Sequence, residues 1–264
     1  MSSNHYAYLK EMGIDVWVER NPSIEMLPSS SPADIKSKQT INVVAPQVDE
    51  AAVETPEVTT SKNIASEIID LPPSIETLDW NPLRTQVEQC QQCELSKNRQ
   101  KTVFGAGDQN AKLMIIGDAP NTEDEKQNQM FSAEAGQLLN AMLKAMGYSR
   151  NDVYITNTVK CRTLDNSDAN EAESLACEPY LLRQIKLLQP TLILLLGNAA
   201  AHSVLKNKST MARLRGQLHY VDGINVPMLV SYHPAYLLRA PNEKRKAWED
   251  LQLAMKELSK SEKS

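Results

Sequence analysis

The sequence is short of several residue types, and each shortage excludes a class of protein. Its 264 residues include only four cysteines, too few for a disulfide-rich secreted scaffold. No apolar run approaches the roughly 20 residues that span a bilayer, and the stretch MSSNHYAYLKEMG lacks the apolar core of a secretion signal. Glycine is scarce too: VFGAGDQNAK has no third glycine and precedes its strand, which excludes a dinucleotide-binding loop. We therefore expect a cytoplasmic protein that does not enter a membrane.

The net charge of −5 comes mainly from one segment of the chain. Residues 21–75 contain eight acidic residues and three lysines, are rich in proline, serine and threonine, and lack glycine. Such a segment cannot bury enough apolar surface to offset its ordering entropy, which predicts a disordered acidic linker. From residue 76 onward, 22 acidic and 23 basic residues nearly cancel. Nucleic-acid binding would therefore need a local basic patch.

An apolar peptide precedes this linker. Residues 1–20 carry a loosely amphipathic array: Tyr6, Leu9, Met12, Val16 and Trp17. A peptide of this length does not stabilise itself. It either docks on the body of the same protein or, carried by the linker, binds a partner.

Residues 76–264 are predicted to form one folded domain in which strands and helices alternate. The predicted strands are AKLMIIGDAP, DVYITNTVK, TLILLLGN and VPMLVSYHP, and the predicted helices are EAGQLLNAMLKAMGY, ESLACEPYLLRQIKLLQP, AAAHSVLKN and EKRKAWEDLQLAMKELSK. Continuous apolar strands separated by helices indicate a mainly parallel sheet that is covered on both faces. The predicted fold is therefore a three-layer α/β/α sandwich.

Polar residues follow three of the predicted strands. Asp118, Asn157 and His233 each lie at or just after a strand end. Functional loops of such sheets gather at the carboxyl ends of the strands, so we expect these three residues at one edge. An Asn side chain there could present a donor and an acceptor to a pyrimidine edge, or it could simply cap the strand.

The four cysteines, Cys90, Cys93, Cys161 and Cys177, follow the spacing C-x2-C, 67 residues, C-x15-C. A zinc ribbon usually has two tight C-x2-C pairs, so this spacing favours an iron–sulfur cluster over zinc. Unligated buried thiols are a third interpretation. A bound metal would tie the segment after the linker to the rest of the domain.

The stretch SYHPAYLLRAP, residues 231–241, has two interpretations. A proline-framed loop that exposes Leu237 and Leu238 beside Arg239 would suit insertion into a DNA base stack next to phosphates. Alternatively, the loop is a turn that packs its leucines inward.

Taken in order, Cys90-x2-Cys93, GDAPN, Phe131, ITNTVKCR, Cys177 and YHPAYLLR resemble the family 4 uracil-DNA glycosylases. The resemblance covers roughly residues 85–258. It implies that the four cysteines hold a 4Fe-4S cluster, with zinc as the less favoured alternative. It also implies that a uracil rotated out of DNA enters a pocket of the protein.

The resemblance assigns roles to individual residues. Phe131 would stack on the base beside Pro120, and Asn157 would read its edge. His233 would donate a hydrogen bond to the uracil oxygen, and Asp118 would stabilise the sugar cation or position water. The gap left in the stack would be filled by Leu237, Leu238 and Arg239.

The sequence departs from the family pattern around the expected pocket. Asp118 stands where the family has Glu, which retracts the carboxylate by about 1 Å. Asn121 and Asn128 replace two glycines, Met130 replaces a proline, and Ser167 replaces the usual Arg. Two hypotheses follow: an active glycosylase with a retuned pocket for uracil or a related deaminated base, or an inactive replisome adaptor that binds DNA.

Residues 1–20 bear on the second hypothesis. The stretch YLKEMGIDVWVER resembles the N-terminal peptide of the psi subunit of the bacterial DNA polymerase III clamp loader, which docks on the chi subunit. This resemblance implies a replisome partner, the chi subunit or the clamp loader, reached through a flexible leash.

Overall fold

The structure of the chain is a computed structural model that describes residues 74–261. The predicted peptide over residues 1–20 and nearly all of the predicted linker lie outside the described residues. The described residues form six strands, β1 to β6: Ala106–Gly107, Leu113–Gly117, Tyr154–Asn157, Leu192–Leu196, Leu218–Val221 and Ile224–Ser231. They also form nine α-helices, α1 to α9: Trp80–Gln89, Leu95–Asn98, Thr122–Gln127, Ala133–Ala145, Glu171–Leu188, Asn198–Leu205, Met211–Leu214, Pro234–Arg239 and Lys244–Ser261. Short 3-10 helices lie at Ile75–Thr77, Leu164–Asn166 and Pro241–Glu243.

The six strands form one sheet in the order β1-β3-β2-β4-β6-β5. The four inner strands are parallel, and the edge strands β1 and β5 pair antiparallel with their neighbours. The registers place Gly117 opposite Asn157 and Leu196 opposite Ser231. The carboxyl ends of the four inner strands therefore meet at one edge of the sheet, as the sequence predicts.

Helices cover both faces of the sheet. Along β2, Leu113 and Ile115 pack into one buried cluster with residues of α4 and α9, whereas Met114 and Ile116 pack into another with residues of α5 and α6. This alternation arises because successive side chains of a strand point to opposite faces. The predicted three-layer α/β/α sandwich is confirmed, and no helix of the described residues is long and apolar enough to cross a membrane.

Local sequence signals explain where the helices near the candidate site begin and end. Asn121 caps α3, and Asn170 caps α5; each accepts from the N3 backbone N–H while the N3 acid accepts from the cap N–H. Helix α5 ends where Gln189 turns left-handed, directly before Pro190. The predicted loop at residues 231–241 is instead largely helical, because His233 caps α8 and Pro234 occupies its first turn.

Candidate active site

The loops at the carboxyl ends of the strands enclose a cavity of about 730 Å³, called here the base cavity. Six of the predicted site residues line it: Asp118, Pro120, Phe131, Asn157, His233 and Arg239. These residues come from four separate segments of the chain, so the fold brings together what the sequence keeps up to 121 positions apart. Leu237 and Leu238 do not line the cavity.

Gly117, the last residue of β2, lets two of these side chains approach each other. A Cβ atom at this position would lie 2.5 Å from Oδ1 of Asn157 and 2.7 Å from Cζ of Phe131. Both distances are too short for real atoms. The glycine of the GDAPN motif therefore makes room for the Phe131 ring and the Asn157 amide at the floor of the cavity.

Phe131 has an unusual backbone conformation that sets the direction of its ring. Its φ of 51° lies in the left-handed region, which is strained for an aromatic residue. The Arg150 guanidinium donates to the Phe131 carbonyl (Nη1 to O, 3.2 Å) and also to the Met130 carbonyl. Gly136 allows the Phe131 carbonyl a very close approach, because a Cβ there would overlap it. Surrounding contacts therefore hold Phe131 in its strained conformation.

His233 faces Phe131 across the cavity floor, with their ring centroids 5.2 Å apart and the planes 30° from parallel. Rings at this separation are in direct contact. The two rings therefore leave no room for a third ring between them.

The imidazole of His233 is held in one protonation state. Burial lowers its pKa to about 4, with Asp124 opposing this and Arg239 adding to it. Its Nδ1 accepts a hydrogen bond from the Ala235 backbone N–H at 3.1 Å. A neutral imidazole that accepts at Nδ1 carries its proton on Nε2. His233 is therefore a neutral donor at neutral pH.

The Asp118 carboxylate follows β2 and is held at the side of the base cavity. Its Oδ1 accepts from Thr158 Oγ1 at 3.2 Å, and its Oδ2 accepts from the Ala169 backbone N–H at 3.3 Å. Burial raises the pKa of Asp118 to about 6, with Asp168 adding to the increase and the two hydrogen bonds opposing it. The carboxyl group is thus mostly ionised at neutral pH, at an energetic cost.

The residues that depart from the family pattern have structural explanations here. Asn121 has a φ of −91°, so no glycine is needed, and its side chain accepts from two backbone N–H groups of α3. Asn128 ends α3 with a φ of 51°, a left-handed position at which Asn is the best tolerated residue after glycine. Met130 is buried, and Ser167 lines the base cavity with its hydroxyl bonded to the Leu164 carbonyl.

The predicted apolar wedge needs a correction. Leu237 is fully buried and packs in the core cluster shared with α4 and α9, so its prediction as an exposed wedge residue is wrong. The reason is the helical turn of α8, which directs residue 237 inward. Leu238 is 38% exposed and Arg239 is exposed, whereas the exposed aromatic residue beside the cavity is Tyr236.

The four cysteines line a second, small cavity, called here the cysteine cavity. Cys90 ends α1, Cys93 precedes α2, Cys161 follows β3 and Cys177 lies in α5. None of the four takes part in a disulfide bond. Burial raises the pKa of Cys161 and raises that of Cys177 to about 12. Within residues 74–261, no group of three His, Cys, Asp or Glu side chains is arranged to hold a metal ion.

Two cations lie beside these sulfur atoms. Arg99 donates to Cys161 Sγ at 3.0 Å and to the Cys90 carbonyl at 2.7 Å. Lys160 is 1% exposed, and its ammonium donates to Thr156 Oγ1 (2.6 Å), the Asn157 carbonyl (2.7 Å) and Gln184 Oε1 (2.7 Å). Lys160 therefore connects Asn157, which lines the base cavity, to the segment that carries Cys161.

Sequence reasoning missed two residues that organise the base cavity. Asp124 is buried and accepts from the backbone N–H (2.7 Å) and the hydroxyl (2.5 Å) of Ser132, which fixes the turn after Phe131. The spacing of Asn121 and Asp124 is that of a capping box and could have identified it. Arg150 gave no such signal, because its contacts lie 19 and 20 positions away.

The sequence was also compared with those of known proteins and protein families. The model of the uracil DNA glycosylase superfamily matches residues 104–252. The chain is 35% identical over 170 residues to a type-4 uracil-DNA glycosylase of Pyrobaculum aerophilum, covering 62% of this chain and 87% of that protein. Type-4 uracil-DNA glycosylases of Saccharolobus solfataricus (35%, covering 66% and 84%) and Archaeoglobus fulgidus (34%, covering 63% and 86%) are similar. The chain belongs to the uracil-DNA glycosylase superfamily.

Proposed function

We propose that this protein is a DNA-repair glycosylase that hydrolyses the N-glycosidic bond of a uracil, or a related deaminated base, extruded from DNA. The observation that carries the proposal is the neutral His233, fixed as an Nε2–H donor in the same cavity as Phe131, Asn157 and Asp118. An aromatic ring, an amide, a neutral donor and a carboxylate are the groups that recognition and excision of a flipped pyrimidine require.

Binding of the base rests on Phe131 and Asn157. The Phe131 ring offers a face for stacking, and its fixed backbone means that little ordering is needed when the base arrives. The Asn157 amide presents a donor and an acceptor to the edge of the pyrimidine.

Bond cleavage creates charge at two places, and the cavity has a group for each. Negative charge develops on the departing uracil, where the Nε2–H of His233 donates a hydrogen bond. Because the pKa of His233 is about 4, the residue acts as a hydrogen-bond donor and not as a cationic acid. Positive charge develops on the sugar, where the ionised Asp118 stabilises it or orients the attacking water.

We infer that Cys90, Cys93, Cys161 and Cys177, which all line the cysteine cavity, are the residues that would bind a 4Fe-4S cluster. Four cysteine sulfurs line one small cavity, an arginine donates to one of them, and burial disfavours thiolates that no metal compensates. A bound cluster would supply the positive charge that these thiolates need and would join α1 to α5. The residues of this chain that carry out the cleavage lie in the base cavity, so the role of the cluster is structural.

A non-enzymatic adaptor remains the competing function, but no observation favours it over catalysis. The protein has the fixed tautomer of His233 and the strained Phe131. An inactive protein would have no need of these features. A tether through residues 1–20 to the chi subunit or the clamp loader stays a prediction, because those residues lie outside the described part of the chain. Pull-down with and without residues 1–20 tests it.

The proposed activity is tested with a uracil-containing oligonucleotide that is incubated with the full-length protein and then treated with alkali. We expect strand breaks at the uracil, and a 10²- to 10³-fold lower rate for His233→Ala, roughly the effect of removing a donor to a developing oxyanion. His219→Ala, which changes a half-buried histidine on β5, is the matched control. A wild-type protein that binds the oligonucleotide without cleaving it would support the adaptor.

A further inference from the structure

Two tyrosines form an aromatic pair at the rim of the base cavity. Tyr232 directly follows β6, and Tyr236 lies one helical turn later in α8; both line the cavity. Their ring centroids are 5.1 Å apart and their planes are 20° from parallel. Tyr236 is 40% exposed. Because Tyr232 covers one side of its ring, the exposed area of Tyr236 lies on the remaining surface, toward solvent.

Tyr232, the less exposed ring of this pair, is held in place by residues of the core. The Arg215 guanidinium lies 5.8 Å from the centroid of the Tyr232 ring. Arg215 in turn pairs with Asp250, which is fully buried, through two contacts of 2.9 and 3.1 Å. Asp250 also accepts from the Ser231 hydroxyl at 2.9 Å. The stack from Asp250 to Tyr236 is therefore anchored in the core at one end and open at the other.

The proposed cleavage does not use this stack. Phe131, Asn157, His233 and Asp118 account for the base and the sugar, whereas Tyr236 lies at the rim. A held, solvent-facing aromatic ring beside a nucleobase cavity offers a stacking surface at small entropic cost, since its partner ring is already fixed. The exposed Arg239 lines the same cavity and can contact a phosphate of the same strand.

We propose that Tyr236, backed by Tyr232, stacks on the nucleobase next to the extruded one on the same DNA strand. This inference rests on the proposed function, because it requires a base in the cavity. This contact takes the place of the predicted insertion of Leu237. The neighbouring base stacks on the Tyr236 ring, and no apolar side chain is inserted between the bases. Stacking tolerates any base, because every base has a π-face.

The test measures affinity with a double-mutant cycle across the protein and the DNA. The probe is a labelled single-stranded oligonucleotide that carries 2′-fluoro-2′-deoxyuridine, whose base is cleaved slowly. In two further probes an abasic analogue replaces the neighbour on the 5′ or the 3′ side. We expect Tyr236→Ala to weaken binding of the intact probe roughly 5- to 150-fold, as one base–aromatic stack is worth about 1–3 kcal/mol.

The decisive result is the coupling between protein and DNA changes. With one of the two abasic probes, wild type and Tyr236→Ala should bind equally, because the stacking partner is gone. Tyr236→Phe and Tyr236→Trp should retain wild-type affinity, and Tyr220→Ala, which changes an exposed tyrosine of β5, is the control. An unchanged affinity of Tyr236→Ala, or equal losses with every probe, would overturn the stacking role.

The cycle separates this inference from the proposed function. Cleavage of a natural uracil oligonucleotide by the wild-type protein is measured in parallel. Cleavage without coupling at Tyr236 overturns only the stacking role. Binding that depends on Tyr236 without any cleavage overturns the proposed function and points to a DNA-holding protein with the same aromatic step.

Discussion

The base cavity and the cysteine cavity lie at the two ends of one short stretch, residues 157–161, yet they are built differently. The base cavity is lined by loops, strand ends and helix residues, and the backbone near it is left-handed at Asn128, Phe131 and Ala133. The cysteine cavity is formed mainly by residues of α1, α5 and the segments that adjoin them. The departures from the family pattern named above cluster around the first cavity, whereas all four cysteines of the second are retained.

This difference shows how one fold can place structural support in one region, the cysteine cavity, and base specificity in another, the base cavity. The cysteines come from the residue after α1, the segment before α2, the segment after β3 and α5 itself, so the cysteine cavity depends on side-chain identity at four positions. The base cavity depends on strained backbone and on buried polar groups, which single substitutions can adjust. Lys160, donating to the Asn157 carbonyl one position before Cys161, joins the two regions mechanically.

The largest effect is expected from a substitution in the cysteine cavity. If the proposed cluster is bound, Cys177→Ser should lower the free energy of unfolding by more than about 4 kcal/mol, since loss of a metal site belongs to the most damaging class of single substitutions. It should also remove the visible absorbance of the proposed iron–sulfur cluster. Chemical denaturation and the visible spectrum measure both changes.

Gln92→Ala is the control for this prediction. Gln92 also lines the cysteine cavity, but it is exposed and carries no sulfur. Wild-type protein that is colourless and contains one zinc per chain would contradict the cluster. Retained stability in Cys177→Ser would contradict the supporting role of the whole region.

The next prediction is a substitution in the base cavity that should lower activity and raise stability. Asp118→Asn should lower the excision rate on the order of 100-fold at pH 7.5, because no carboxylate then faces the sugar cation. It should raise the free energy of unfolding at that pH, since the ionised carboxylate is disfavoured by burial. Activity assays and denaturation of the same preparation measure the two changes.

The pH dependence of these changes follows from the pKa of about 6 in the folded state against 3.8 for the ordinary group. The cost of ionising Asp118 is present in full above pH 6, shrinks as the pH falls between these values and vanishes below the lower one. The stability gain of Asp118→Asn should therefore disappear near pH 4. The wild-type kcat/KM should fall below about pH 6, and a flat profile there would exclude ionised Asp118 from the reaction.

A smaller effect tests whether the shortened acid limits the enzyme. Asp118→Glu should raise kcat, by at most on the order of 100-fold, if the retraction of the carboxylate by about 1 Å is the defect. Asp168→Glu lengthens a neighbouring acid of the same cavity and serves as the control. An unchanged rate would mean that the loop around Asp118 has already compensated for the missing methylene.

The smallest effect concerns the backbone near the base cavity. Asn128→Ala should lower the free energy of unfolding by about 1 kcal/mol, because alanine tolerates the left-handed conformation less well than asparagine. Gln127→Ala, one position earlier and also exposed, should change it by less than about 0.5 kcal/mol. Equal effects of the two substitutions would show that the left-handed end of α3 carries no particular cost.

Much of the fold could be predicted because its signals are local. The apolar strands β2, β3, β4 and β6 and the helices α4, α5, α6 and α9 follow from the periodicity of their own residues. The edge strand β1 was missed because it is two residues long and exposed, and β5 was missed because it is short and only partly buried. Helix α8 was missed because its prolines suggested a loop, although a proline in the first turn is compatible with a helix.

By itself, the sequence determined the layered architecture, the edge where polar residues meet, and the identity of the groups that line the base cavity. Only the tertiary structure decided their state: the neutral tautomer of His233, the strained Phe131, the raised pKa of Asp118 and the burial of Leu237. The physical reason is distance along the chain. Periodicity and caps act within a few residues, whereas desolvation and the hydrogen bonds of Arg150 arise from residues that only folding brings together.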